Sequence, residues 1–258
     1  MNIFTANPEE KTPMIKAAVN LLLLCALITV AFWLIMSSIG HVFDFSFLKV
    51  LRVRWAMGFM MTVYLSIASL LVSLLIGLVM AILQGSRILL FRYLSGLYVM
   101  FIRGTPLIMQ IFLFYYIVAD ALGLENRFIC GVLILSVFEG AYIAEIIRGS
   151  LLSIEQSQIE AAKAVGFTDR QTALLVILPQ MIARTLPALT GQFASIIKDS
   201  SLLSIIALTE LTQTTREITA MNYKIFEGYL FLGLLYLCLT LPISIISKRF
   251  EGRYNYEN

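Results

Sequence analysis

The most constraining feature of the sequence is an apolar stretch that contains no charged residue from Ala56 to Ser86. A helix of roughly 20 apolar residues is long enough to cross a hydrocarbon core of about 30 Å. Five further stretches have comparable length and polarity, so the sequence predicts six membrane-spanning helices. Their approximate bounds are 17–39, 58–83, 93–118, 128–148, 186–208 and 226–247.

The overall composition excludes a water-soluble globule. Hydrophobic residues make up 59% of the 258 positions and charged residues only 14%, too few to cover a soluble surface of this size. The formal net charge of +3 is too small and scattered for a nucleic-acid partner. Cys25, Cys130 and Cys238 all lie in apolar runs, which argues against disulfides and against a metal site. The chain is therefore predicted to be an all-α polytopic protein surrounded by membrane lipid.

Lysine and arginine are distributed unequally between the two sides of the predicted membrane domain. With six spans both termini lie on one side, which carries eleven of these residues against six on the other. Because positive loops favour the cytoplasm, both termini are predicted to be cytoplasmic. We divide the chain into residues 1–56 (cytoplasmic tail, first span and extracytoplasmic interfacial segment), a transmembrane domain 57–250, and a cytoplasmic tail 251–258. The longest connection, 149–185, is too short for a separate domain.

Five ionisable residues fall inside the predicted spans, where each costs at least about 2.5–3.5 kcal/mol at the bilayer centre. They are Arg103, Glu139, Glu145, Lys198 and Asp199. One interpretation is mutual neutralisation, for example in a pair between Glu145 and Arg148. Neutralisation within the set is incomplete, because three acids stand against two bases. A polar, solvated path across the membrane accounts better for all five.

A backbone irregularity lies beside Arg103, where Gly104 and Pro106 interrupt the third predicted span. The proline removes a backbone hydrogen bond in the middle of the helix. Inside a membrane such a break is tolerated where the freed carbonyls line a cavity or meet neighbouring side chains. A plain proline kink explains the same residues, so the motif alone does not identify a pathway.

The loop 149–185 is predicted to contain two short helices that meet at a glycine corner. Gly166 suits the left-handed residue that ends the first helix, and Pro179 is expected to end the second. Three pairs have the spacing of a capping box, which starts a helix: Ser153 with Gln156, Ser157 with Glu160, and Thr168 with Gln171. Such an element can transmit force to a soluble partner, although a solvated hairpin without a partner fits the same spacing.

These residues resemble the coupling loop, or EAA loop, of ABC importer permeases. The matching residues are Glu160, Ala161, Ala162, Gly166, Leu178 and Pro179. Three other segments are similar to the polar amino-acid branch of that family: Arg103-Gly104-Thr105-Pro106-Leu107, Gly140-Ala141-Tyr142-Ile143-Ala144-Glu145 and Lys198-Asp199-Ser200-Ser201-Leu202. The resemblance covers about residues 58–250. It implies a five-helix importer core, preceded here by one extra N-terminal helix.

The resemblance also implies that the chain is a transport subunit and not an enzyme. Such permeases pair with a second permease, identical or a sister chain, and with a dimer of ATP-binding cassette ATPases. An extracytoplasmic amino-acid-binding protein supplies the substrate, and the location is the inner membrane of a bacterial cell. No glycine in this sequence is followed by lysine, as a P-loop requires, so ATP and Mg²⁺ belong to the partner ATPase and no cofactor is expected in this chain.

Two sets of candidate functional residues follow from the resemblance. The six residues of the coupling loop named above are the expected ATPase contact, and the expected substrate pathway consists of Arg103, Glu139, Gln192, Lys198 and Asp199. A zwitterionic amino acid needs a cation for its carboxylate and an anion for its ammonium group, and this set contains both. In the family the position of Glu139 is often uncharged, so an acid there suits arginine, lysine or histidine; a buried structural carboxylate is an equally good explanation.

One alternative function remains open at this point. A permease of a related importer branch, for methionine or an osmolyte, would share the coupling loop. It would not share the Arg-Gly-Thr-Pro and Lys-Asp-Ser-Ser segments at Arg103 and Lys198.

Overall fold

The computed structural model describes residues 13–254, except for the side chains of residues 39 and 250–254. Within this range the chain is helical and contains no strand. Five helical runs are long and apolar enough to cross a membrane, and a bent pair of helices makes a sixth crossing if it is counted as one span. The five are Met14–Ser38, Arg52–Gln84, Arg127–Leu152, Asp169–Ile206 and Ile225–Arg249. The predicted all-α polytopic fold is confirmed.

The helices are numbered along the chain. They are α1 (Met14–Ile39), α2 (Ser46–Val50), α3 (Arg52–Gln84), α4 (Leu89–Gly104), α5 (Leu107–Leu113), α6 (Arg127–Leu152), α7 (Gln156–Ala164), α8 (Asp169–Thr172), α9 (Leu178–Asp199), α10 (Leu211–Asn222) and α11 (Ile225–Tyr254). Two π-helical segments (Phe114–Ala119 and Ala173–Ile177) and a 3₁₀ segment (Ser200–Ile206) continue α5, α8 and α9. The chain divides into two compact units between Phe45 and Ser46.

The first unit contains α1, which is apolar around its whole circumference, as is typical of a helix that faces lipid. The helix ends at Gly40, whose φ of +66° provides a left-handed cap. The predicted tails lie partly outside the described residues, at 1–12 and 255–258.

The second unit is built around α3 and α6, whose backbones approach closely where both carry glycine. A Cβ on Gly77 would lie 2.5 Å from Ile143, and a Cβ on Gly140 would lie 2.7 Å from Ile76. Small residues at such a contact allow the dense packing that stabilises helix pairs in membranes. The predicted second span begins earlier than expected, because α3 starts at Arg52 and includes the residues before position 58.

The third predicted span, 93–118, is not one straight helix. It is broken between α4 and α5, which are bent by 112°. The predicted interruption at Gly104 and Pro106 is thus confirmed. Pro106 has no N–H for the carbonyl of Ile102, and the side-chain amide of the buried Gln110 donates to that carbonyl instead, at 2.8 Å. The freed backbone group is therefore satisfied inside the protein, as a break in an apolar environment requires.

The coupling loop forms the expected helix, corner and second helix, with two differences. Thr168 and Gln171 form the predicted capping box, and Gly166 has a φ of +87°. The predicted capping boxes of Ser153 and Ser157 are wrong, because α7 begins after Glu155 without a side-chain cap.

The prediction that Pro179 ends the second helix is also wrong. A π-helical turn at Ala173–Ile177 precedes Pro179, and the helical run continues from Asp169 to Ile206. Pro179 lies in the first turn of α9, where a missing backbone N–H is tolerated. The absence of an N–H on Pro179 therefore does not stop the helix.

Candidate functional site

A buried polar cluster lies between α6 and α9, centred on Glu139. The Glu139 side chain is fully buried, and Gln192 Nε2 on α9 donates a hydrogen bond to its Oε2. Asp199, at the end of α9, lies within hydrogen-bonding reach of Glu139, and Lys198 attracts the Asp199 carboxylate. The structure therefore brings together three of the five residues predicted for the substrate pathway, Glu139, Gln192 and Asp199, while Lys198 is the exposed neighbour of Asp199.

The spacing along α9 explains how one helix contributes several of these groups. Gln192 and Asp199 are seven residues apart, which is close to two helical turns, so both lie on the same face. Asp199 is the last residue of α9 before the 3₁₀ segment begins at Ser200.

The cluster contains more hydrogen-bond acceptors than donors. Among the described residues, Glu139 Oε1 has no hydrogen-bond donor. When Glu139 and Asp199 are both ionised they only accept hydrogen bonds, so neither carboxylate can supply a donor to the other. A buried acceptor without a partner is costly, and an ammonium or guanidinium group would satisfy it. The arrangement is chemically suited to hold a cation.

Arg103 lies in a different cluster, near the C-terminal end of α6. Its Nη1 is 3.4 Å from Glu145 Oε2, and its guanidinium lies 5.5 Å from the centre of the Tyr142 ring. Arg148 Nε donates to the other oxygen of the same carboxylate at 2.9 Å, which confirms the predicted pair of Glu145 and Arg148. The charge of Glu145 is therefore neutralised by these two arginines. The structure does not bring Arg103 to Glu139.

The coupling loop forms an elbow, which consists of α7, the corner at Gly166 and α8. The predicted coupling residues lie in this elbow and at the start of α9, into which α8 continues. Glu160 and Ala161 are exposed on α7, whereas Ala162 is buried. Leu178 and Pro179 lie exposed where the π-helical turn passes into α9. The elbow thus presents both polar and apolar side chains on its outside, among them the exposed Val165 and Leu175, and buries Ala162 on its inner side. Among residues 13–254 no group of three or more His, Cys, Asp and Glu side chains is arranged to hold a metal ion.

Sequence reasoning did not single out Glu210, which is fully buried at the start of α10. Its carboxylate accepts hydrogen bonds from the backbone N–H groups of Thr212 and Gln213, both at 2.8 Å, and from the Tyr236 hydroxyl at 3.0 Å. Burial raises the pKa of Glu210 to about 7. The residue lies outside the predicted spans, so nothing in the hydropathy pattern marks it as buried.

The fold and the cluster together define a class of protein: a polytopic helical transport subunit with a polar site between two spans and a helical elbow outside the bundle. The chain belongs to the family described as binding-protein-dependent transport system inner membrane component, which matches residues 73–256. It is therefore a multi-span permease subunit of an ABC transport system and has no catalytic activity of its own. Systems of this family combine such a permease with ATPase and binding-protein partners.

Similar proteins agree with this assignment. The chain is 35% identical over 202 residues to a probable glutamine ABC transporter permease protein of Bacillus subtilis (strain 168), covering 76% of this chain and 93% of that one. It is 34% identical over 197 residues to the L-cystine transport system permease protein of the same organism, covering 76% and 84%. A crystal structure of an amino acid ABC transporter with histidines superimposes with a TM-score of 0.77 at 32% identity, covering 83% of this chain and 100% of that chain.

Proposed function

We propose that this protein is the membrane permease of an ATP-driven importer for polar amino acids, with a preference for basic ones. The observation that carries the proposal is the fully buried Glu139, which has a carboxylate oxygen without a donor. The relatives named for glutamine and cystine, and the solved transporter with histidines, support an amino acid as substrate.

The substrate contacts follow from charge. Glu139 and Asp199 receive the cationic groups of the amino acid, and Gln192 orients Glu139. Lys198 is the cation for the substrate carboxylate. Arg103 is already paired with Glu145, so it enters the pathway only in a state in which that ion pair opens.

The energy comes from outside the chain. A dimer of ATPase subunits holds ATP and Mg²⁺ and contacts the elbow through the exposed Glu160 and Ala161, while Gly166, Leu178 and Pro179 shape the corner. A second permease, identical or a sister chain, completes the pathway, and an extracytoplasmic amino-acid-binding protein delivers the substrate. Both termini and the elbow lie on the cytoplasmic side of the bacterial inner membrane, and residues 57–250 form the transport domain.

The substrate preference is tested by direct binding, because a binding protein would impose its own selectivity on uptake. Labelled arginine, lysine and glutamine are titrated against the purified permease–ATPase complex without the binding protein. Arginine and lysine are expected to bind more tightly than glutamine. Replacement of Glu139 by Gln should weaken the binding of the basic amino acids about tenfold, which corresponds to about 1.4 kcal/mol for a lost charged contact.

Replacement of Glu217 by Gln is the matched control, since Glu217 is a partly exposed acid that pairs with Arg54 on α3. An unchanged ratio between basic and neutral amino acids in Glu139→Gln would contradict the basic preference. A complex in proteoliposomes that accumulates no amino acid with ATP and the binding protein would contradict the importer function itself.

A further inference from the structure

Two side chains on one face of α9 hold the elbow. Gln180 Nε2 donates to Gln158 Oε1, in the middle of α7, at 2.5 Å. Arg184 Nη1 donates to Ser153 Oγ at 2.7 Å and also to the Ser153 carbonyl, at the end of α6. Positions 180 and 184 are one helical turn apart, so both side chains project from the same side of α9. Helix α9 thus contacts both the end of α6, where the elbow begins, and α7, which is its first helix.

These contacts connect the segments on the two sides of Gly166 at a second place. The backbone already joins α7 to α8 through Gly166, and α8 continues into α9 as one helical run. A second connection comes from Gln158 and Gln180, away from the corner. If α7 and the α8–α9 run were joined only at Gly166, they could hinge there. A bond between α7 and α9 restrains that movement.

The inner side of the elbow is packed as well as bonded. Ile154, Ala162 and Thr172 are buried, although each belongs to a short element on the outside of the bundle. The exposed pair of Lys163 and Asp169, at 3.5 Å, spans the corner itself, but an exposed ion pair adds little stability. The buried contacts and the hydrogen bonds from α9 therefore determine the rigidity of the elbow.

We propose that Gln180 and Arg184 are positioning residues: Gln180 clamps α7 to α9, and Arg184 clamps the end of α6 to α9, so that the elbow and α9 move as one rigid body. A displacement of α7 by the ATPase is then carried along α9 to Lys198 and Asp199. Fourteen residues separate Arg184 from Lys198, so the displacement is transmitted over about 21 Å. This inference rests on the proposed function, because it assumes that an ATPase acts on α7.

The first test separates coupling from assembly. The double variant Gln180→Leu with Arg184→Gln removes the clamp but leaves the outer face of α7 unchanged. In reconstituted complexes it is expected to retain the ATPase subunits and to hydrolyse ATP, while the amount of amino acid imported per ATP falls at least tenfold. Arg92→Gln, which removes an exposed arginine from the first turn of α4, is the control and should leave this ratio unchanged.

The second test asks whether α7 and α9 must separate during transport. Gln158→Cys and Gln180→Cys are introduced into a chain in which Cys25, Cys130 and Cys238 are alanine, and a short bismaleimide joins the two thiols. The unlinked cysteine pair lacks the hydrogen bond between Gln158 and Gln180 and should import less per ATP. A rigid elbow predicts that cross-linking returns uptake to within about twofold of that of the cysteine-free complex that keeps both glutamines. This test also decides the question if the double variant fails to assemble.

Two results would overturn the clamp. One is an unchanged import-to-ATP ratio in an assembled double variant, and the other is uptake by the cross-linked complex that stays below this twofold range. In both cases the wild-type complex must import amino acid with ATP, so that the clamp fails while the proposed function stands. A wild-type complex that hydrolyses ATP without moving any amino acid would instead contradict the proposed function.

Discussion

At the scale of single residues, three glutamates of this protein differ in the donors that surround them. Glu145 is paired with two arginines and is therefore neutralised. Glu210 receives two backbone N–H groups and a tyrosine hydroxyl, which fixes the start of α10. Glu139 receives one donor, from Gln192, and retains one oxygen without any. The free oxygen of Glu139 is a buried acceptor that a cationic group can satisfy.

A prediction at this scale concerns the pH dependence of stability. The pKa of Glu210 is about 7 in the folded protein against an ordinary value of 4.5. The stability contributed by this group is therefore fully present below pH 4.5 and is lost as the pH rises through 7. Replacement of Glu210 by Gln should remove a decline of up to about 3 kcal/mol over this range.

The measurement is thermal unfolding of the purified protein in detergent between pH 5 and pH 8. The profile of Glu210→Gln should be flatter than that of the wild type. Glu217→Gln, on the same helix but partly exposed, should follow the wild type. If the unfolding temperature of Glu210→Gln falls with pH as steeply as that of the wild type, another group is responsible for the pH dependence.

At the scale of helices, Pro106, Pro179 and Pro187 have different consequences. At Pro106 the preceding Thr105 is extended, with φ −126° and ψ 148°, as proline demands of its neighbour, and the helix breaks. At Pro179 a π-helical turn accommodates the proline, and at Pro187 the helix simply continues. Replacement of the lost hydrogen bond does not decide the outcome, since Gln110 replaces it at Pro106 and the helix still breaks there.

The prediction for this scale is a test of the elbow corner. Gly166 has a φ of +87°, a conformation that a β-branched residue adopts only with strain. Replacement of Gly166 by Val should therefore distort the corner between α7 and α8 and reduce both ATPase co-purification and uptake. Gly96→Ala is the control, since no atom lies within 4 Å of the added methyl group. If complex yield and uptake are both normal in Gly166→Val, the assignment of this elbow to coupling is wrong.

At the scale of the whole molecule, the polar cluster and the elbow lie on the same two helices. α6 carries Glu139 and leads into the elbow, and α9 leads away from it and ends beside the cluster. A movement of the elbow therefore reaches the cluster without passing through any other span. Rocking of a packed helical bundle between two arrangements is a known way to convert such a movement into access from alternate sides.

This arrangement predicts that the chain is passive by itself. Purified without ATPase subunits and placed in liposomes, it should neither hydrolyse ATP nor accumulate amino acids, whereas addition of the ATPase and binding protein should restore both activities. Radiolabelled uptake and phosphate release measure the two. Concentrative uptake by the isolated chain would contradict the proposal that a partner ATPase drives transport.

Local features of this protein were predictable because their causes are local. The length of an apolar run determines whether a helix spans a membrane, so the crossings were predicted, although the fifth helical run begins at Asp169 and not at position 186. The capping box of Thr168 and Gln171 depends on residues three apart, and the interruption at Gly104 and Pro106 on adjacent ones. The burial of Glu139 also agrees with its place in an apolar stretch, whereas Arg103 and Lys198, in similar stretches, are exposed.

Which charges meet was decided only by the tertiary structure. Glu139 and Gln192 are 53 positions apart, and Arg103 and Glu145 are 42 apart, so both contacts depend on how the helices cross. The bend after α4 directs Arg103 to Glu145, whereas the uninterrupted run through Pro179 places Gln192 and Asp199 on one face of α9. Each outcome results from packing and hydrogen bonding between distant segments, which outweigh the local preference of the chain.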